Sequence, residues 1–320
     1  MKEVEHIKNR HKHYKNMDTE IFKELLSTLQ KKDLKGIDVD EAIAYARMYF
    51  ALYLLTGTTP SEEYGNGKIY LNKINELSSV LQELYKKQTS FSERARVLNC
   101  LYFLLHNTAF LYDIDKENEY MRLAIELCDE YMDAREKAQH DIEGKFNIMR
   151  LMFILLYGGI EEENEDSYFF MLSTYILKEV EEWEQHLNEA SWTDLPLQKC
   201  LQRIELMDMN SYMLQDKRFD VNINETFKHY IGNMISDTVN PKQISSESIR
   251  NYALLYEVVS LSSCDYDNVR QNADSIANLL EYQLPYLSKG SKDFMLCQSI
   301  AFNNLCHNII YAKNQNILED

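Results

Sequence analysis

Residues 40–57 read DEAIAYARMYFALYLLTG, and Arg47 is the only charged side chain between Ala42 and Leu55. Acidic residues open the stretch, Gly57 closes it, and no apolar–polar alternation runs through it. The pattern predicts a helix apolar on most of its sides, which must therefore be covered on most of its sides. Its longest uninterrupted apolar run, Met48 to Leu55, and a second from Leu151 to Tyr157 fall well short of the about 20 residues that cross a bilayer.

Working outward, Asp38 is placed to cap this helix, and Gly36 to close a shorter one running from Asp18 to about Lys32. Apolar residues then recur at helical spacing over roughly 68–87, 92–112, 116–135, 140–157, 165–189, 195–215, 223–236, 245–263, 267–286 and 291–314. Ser90, Asp115, Asp194, Asn222, Ser245 and Asp265 sit where caps are needed, and Pro285 should end or kink its helix. Nine glycines and four prolines in 320 residues, about 4% against about 12% in average chains, leave little material for strand turns.

Even-numbered helices carry the dense apolar runs YARMYFALYLL, VLNCLYFLL, NIMRLMFILLY, CLQRIELMDM, NYALLYEVVSL and FNNLCHNIIYA, the fourth of these the most polar. Those between are amphipathic and acidic. The expected architecture is all-α: about twelve helices in stacked hairpins, the apolar set inside and the acidic set outside. Residues 18–320 then form one helical-repeat domain behind a charged leader at 1–17, which holds no apolar run of the signal-peptide kind. The period of about fifty residues exceeds that of tetratricopeptide (TPR) repeats, and the W-x2-L-G-x2-Y signature is absent. An irregular TPR-like α-solenoid is the favoured form. An α/α toroid is the alternative; it requires the first and last hairpins to touch and a carboxylate pair or metal site to face the hollow.

A formal charge of −17 argues against nucleic-acid or anionic-membrane partners, and 45% hydrophobic residues exclude a disordered chain. Six scattered cysteines without a CxxC read as reduced thiols of a cytoplasmic protein.

Arg47, Arg96, Arg150, Arg203 and Arg250 fall one to each of five inner-type helices, near the hairpin period. Asn99 lies three after Arg96, Asn147 three before Arg150, and Asn251 beside Arg250. Guanidinium forks hold carboxylates, and asparagine amides pair with peptide backbone. Together with Tyr49, in a Tyr45–Tyr49–Tyr53 stripe, these residues are expected to line a concave groove for a peptide or protein partner, without catalysis or cofactor. The competing explanation pairs the arginines with the chain's own acids, among them Glu41, Glu93, Glu205 and Glu257. A toroid enzyme working in a central cavity is a second expectation, with Asp38/Glu41, Asp141/Glu143 or Glu205/Asp208 as paired acids. A third is an immunity- or sensor-type protein whose acidic outer helices take a basic partner.

Cys306-His307, with Cys264 upstream, resembles the Cys, Cys, His zinc site of lanthionine synthetase C-like cyclases, which are α/α toroids. Asn308 follows where that family has glycine, and neighbouring helical residues point about 100° apart, so packing is the expected role of Cys306.

Overall fold

The computed structural model describes residues 19–58, 66–107, 114–134, 147–152, 155, 174, 242–261 and 269–314. Among them are eight α-helices and no strand. These are α1 (Thr19–Lys31), α2 (Val39–Thr58), α3 (Gly67–Lys87), α4 (Phe91–Asn107), α5 (Ile114–Asp133), α6 (Ser246–Leu261), α7 (Val269–Gln283) and α8 (Lys292–Asn314). Residues 147–152 are helical as well. Of the expected helix at 165–189 only Thr174, which is helical, is described; the helices expected at 195–215 and 223–236, and the leader, lie outside the described residues.

Local chemistry accounts for the boundaries. Gly36, at φ +76°, turns the chain after α1 in the left-handed region that glycine adopts freely. Asp38 and Glu41 then form a reciprocal cap. The Asp38 carboxylate accepts from the Glu41 amide at 2.9 Å, and the Glu41 carboxylate accepts from the Asp38 amide at 3.1 Å. Asp38/Glu41, one of the acid pairs considered for catalysis, is thereby the start of α2. Asn66, Ser245 and Ser291 accept from backbone amides at the heads of α3, α6 and α8. At Pro285 the helix ends as expected: α7 stops at Gln283 and a single 3-10 turn, Leu284–Tyr286, follows.

The two helix types differ as their sequences demand. α3 buries one stripe, Tyr70, Ile74, Leu77, Ser78, Leu81, Leu84 and Tyr85. α2 buries Tyr45, Met48, Tyr49, Leu52 and Leu55 on one side and Ala44, Ala46, Phe50 and Ala51 on others, so burial goes most of the way around it. The tail of α1 is held by side chains from this pair. Tyr49 donates to the Leu29 carbonyl at 2.8 Å, which also takes the Lys32 amide at 3.4 Å, and Lys73 donates to the Lys32 carbonyl at 2.7 Å.

α2 packs on α3, α3 on α4, α4 on α5, α6 on α7 and α7 on α8, and α2 also packs on α4 and α6 on α8. The most extensive junction, however, is between α2 and α8, from opposite ends of the chain. An open stack in which each hairpin touches its sequence neighbours does not supply that contact. The junction also gives the relative direction. Lys292 meets Asp40 and Arg47 meets Ser299, a step of seven residues forward on both helices, so α2 and α8 run parallel. Asp40–Arg96 followed by Phe50–Phe103 makes α4 parallel to α2 in the same way. One continuous core joins residues from α1 through α8. Among the described residues no helix is long and apolar enough to cross a membrane.

Candidate functional site

Three parallel helices bring their first turns together. Asp40 of α2 sits between α4 and α8: its Oδ1 accepts from Arg96 at 2.7 Å and its Oδ2 from Lys292 at 2.6 Å. Arg96 spends its other terminal nitrogen on Glu93, one turn earlier on α4, at 2.9 Å. Two carboxylates and two cations thus form a chain, Glu93–Arg96–Asp40–Lys292, across three helices. Two turns further in, Arg47 donates to Ser299 Oγ at 2.9 Å.

The charges respond to this packing. Burial pushes the Asp40 carboxyl up, but bonds from Lys292 and Arg96 and their positive charges outweigh it, leaving it below the usual value. Burial works against the Arg96 cation, yet its bond to Asp40 and the charges of Glu93 and Asp40 hold it more firmly protonated than usual. Lys292 is raised by the same bond to Asp40. Cys100, on α4, is pushed up to about 12 by burial, which the charges of Arg47 and Arg96 only partly offset, so the thiol stays protonated at neutral pH.

Beyond the ion pairs the wall continues in amides. Asn99 donates to the Asn147 carbonyl at 3.2 Å, and Asn147 donates to Ser92 Oγ at 3.0 Å. Ser92 and Asn99 are two turns apart on α4, so Asn147 is gripped between them. The Asn99 Oδ1 is buried without a hydrogen-bond partner. On the other flank, Asn303 of α8 donates to the Tyr256 hydroxyl of α6 at 3.2 Å. Side by side, then, lie α6, α8, α2, α4 and the stretch at 147–152, all inner-type segments.

Each expected site residue has a definite place except Arg203, which is outside the described residues. Arg47, Arg96, Asn99, Asn147, Arg150 and Asn251 are half-buried, and Arg250 is exposed. Arg47, Arg96, Asn99 and Asn147 come together on adjacent helices through the contacts above. Tyr49 does not join them. It is fully buried on the opposite side of α2, its hydroxyl spent on α1, and burial raises its pKa well above the ordinary phenol value. Tyr45 is a core residue beside it. Glu93 is a partner of Arg96, as the intramolecular explanation had it.

Asp40, Lys292 and Ser299 were not anticipated. Their signal was the seven-residue spacing that Asp40–Arg47 shares with Lys292–Ser299, visible only once α2 and α8 are known to be parallel. Cys306 is fully buried and its neighbour His307 exposed, so the two point apart. Cys264 lies outside the described residues, among which no group of three or more His, Cys, Asp or Glu is placed to hold a metal ion. Compared with known proteins, the chain matches no family model, and no curated protein or solved structure is significantly similar to it.

Proposed function

We propose that this protein binds a peptide segment of a partner along its inner helices, and that these helices form a closed, toroid-like layer. The observation that carries the reading is the side-by-side order α6, α8, α2, α4 and 147–152, with half-buried Arg or Asn side chains on each of the last three and on α6. Five of the six apolar segments anticipated for an inner layer are accounted for, and they follow one another in sequence order through the α2–α8 junction. A half-buried guanidinium or amide is oriented by its neighbours yet still reaches solvent, which suits recognition of backbone and carboxylate groups. Arg96 is ordered by Asp40 and Glu93, Arg47 by Ser299, and Asn99 and Asn147 by each other and Ser92; with those bonds in place, Arg47, Asn99, Asn147 and Arg150 are the half-buried side chains a peptide would meet.

Selection of a random peptide library against the protein tests this. Peptides recovered on the wild type should bind Asn99→Ala and Arg150→Ala at least about tenfold more weakly, the worth of one or two polar contacts. Peptides indifferent to both substitutions would overturn the reading.

A second reading, an enzyme acting inside a toroid, is favoured by one specific observation: Asp40 and Glu93 converge on Arg96 at the heads of adjacent inner helices. It predicts that a substrate is turned over and that turnover is abolished by Glu93→Gln.

A further inference from the structure

We propose that Tyr282 and Tyr286 form a site of oxidative cross-linking, where a peroxidase-type one-electron oxidant joins the two rings by a carbon–carbon bond. Tyr282 is 42% and Tyr286 50% exposed, while Tyr45, Tyr49, Tyr70 and Tyr85 are buried. Their placement follows from the chain. Pro285 ends α7, and the 3-10 turn that follows sets Tyr286 one turn beyond Tyr282, ring against ring. Between them Gln283 is buried and ties this turn down: its Nε2 donates to the Lys242 carbonyl at 2.9 Å and its Oε1 accepts from the Ile244 amide at 3.1 Å. The ring centres are 5.7 Å apart, and the Tyr286 hydroxyl donates to that of Tyr282 at 3.3 Å. Side-by-side hydroxyls are the arrangement of a diphenol linked at the carbons next to its oxygens, so the pair is already set for that product. Two other tyrosine pairs are about as close but not so poised. In Tyr45–Tyr49, at 6.1 Å, Tyr49 gives its hydroxyl to the Leu29 carbonyl. In Tyr102–Tyr120, at 5.6 Å, the Tyr120 hydroxyl is buried and unpaired among the described residues.

Each ring gives up one electron and its phenolic proton. The two radicals join at carbons flanking the oxygens, and the ring hydrogens there move to the oxygens, restoring both phenols. The two electrons and two protons released reduce one hydrogen peroxide to two waters. The new bond closes a ring across Pro285 and fixes the connector between α7 and α8. The test is oxidation of the full-length protein by a haem peroxidase with limiting hydrogen peroxide, followed by peptide mapping of monomer and covalent dimer. Groups held in contact meet at an effective concentration of about millimolar, so at about ten micromolar protein the internal link should exceed coupling between molecules about a hundredfold. Trypsin releases both tyrosines in one peptide, Gln271–Lys289, which should be recovered from the monomer two hydrogens lighter. Tyr282→Phe and Tyr286→Phe, at exposed sites where substitution costs little stability, should each lose that product. Coupling confined to covalent dimers, monomer links mapped to other tyrosines in its place, or no coupling under conditions that join free tyrosine would each overturn the proposal.

Discussion

Arg47 and Ser299 stand 252 positions apart in the chain and 2.9 Å apart in space. Together with Asp40 and Lys292 they place two rungs, seven residues apart, between parallel helices from opposite ends of the molecule. The architecture depends on this pairing more than on any local feature, and it gives the account quantities that can be measured.

Asp40→Asn keeps the shape of the side chain and removes the charge that Arg96 and Lys292 share. Hydrogen bonds to charged groups are worth about 1.5–3 kcal/mol, and Arg96 retains Glu93. The expected loss is therefore at the lower end, about 1–2 kcal/mol in urea unfolding, with an unchanged denaturant slope. No loss would mean that the ion-pair chain is ornamental to stability.

The same carboxylate sets an acid limit. A carboxyl whose folded pKa lies below its unfolded value adds stability above the unfolded value, near pH 4, and that stability fades as pH falls through the lowered one. Lys292 behaves in the opposite sense: its raised pKa adds stability at neutral pH that is lost only at strongly alkaline pH. The stability gap between wild type and Asp40→Asn should be full at pH 6 and shrink below about pH 4. A gap independent of pH would show that Asp40 acts through packing.

Tyr49→Phe removes the hydroxyl that satisfies the Leu29 carbonyl and nothing else. The expected cost is about 1 kcal/mol, the usual worth of a buried hydrogen bond. Peptide binding should be unaffected, because Tyr49 faces α1 and not the inner wall.

Asp38→Ala should destabilise by about 1 kcal/mol through loss of the cap on α2, and Asp38→Ser should restore most of it. An effect on any catalytic turnover with stability intact would reopen a chemical role for the Asp38/Glu41 pair.

How much of this was legible beforehand depends on distance along the chain. The helical class, the caps at Asp38 and Ser245, the break at Pro285 and the contrast between α2 and α3 were readable, because each rests on residues within a few positions of one another. Arg96–Glu93 was readable for the same reason. Asp40–Lys292 and Arg47–Ser299 were not, since neither periodicity nor composition says which helices lie side by side. For the same reason the choice between solenoid and toroid was not legible: scarce glycine speaks about loops, whereas closure is a matter of packing between distant helices. Tyr49 was misplaced in the groove because a four-residue tyrosine stripe marks one face of a helix without saying which layer covers it.

The central claim is that α2 and α8 are neighbours. Zero-length carbodiimide coupling tests it directly, because an amide forms only between a carboxylate and an amine already in contact, and Lys292 Nζ lies 2.6 Å from Asp40 Oδ2. Peptide mapping of the coupled monomer should recover an Asp40–Lys292 cross-link alongside the local Lys73–Glu76 one, whose groups are 2.9 Å apart. Recovery of Lys73–Glu76 with Lys292 unlinked, or linked only within its own hairpin, would contradict the α2–α8 pairing.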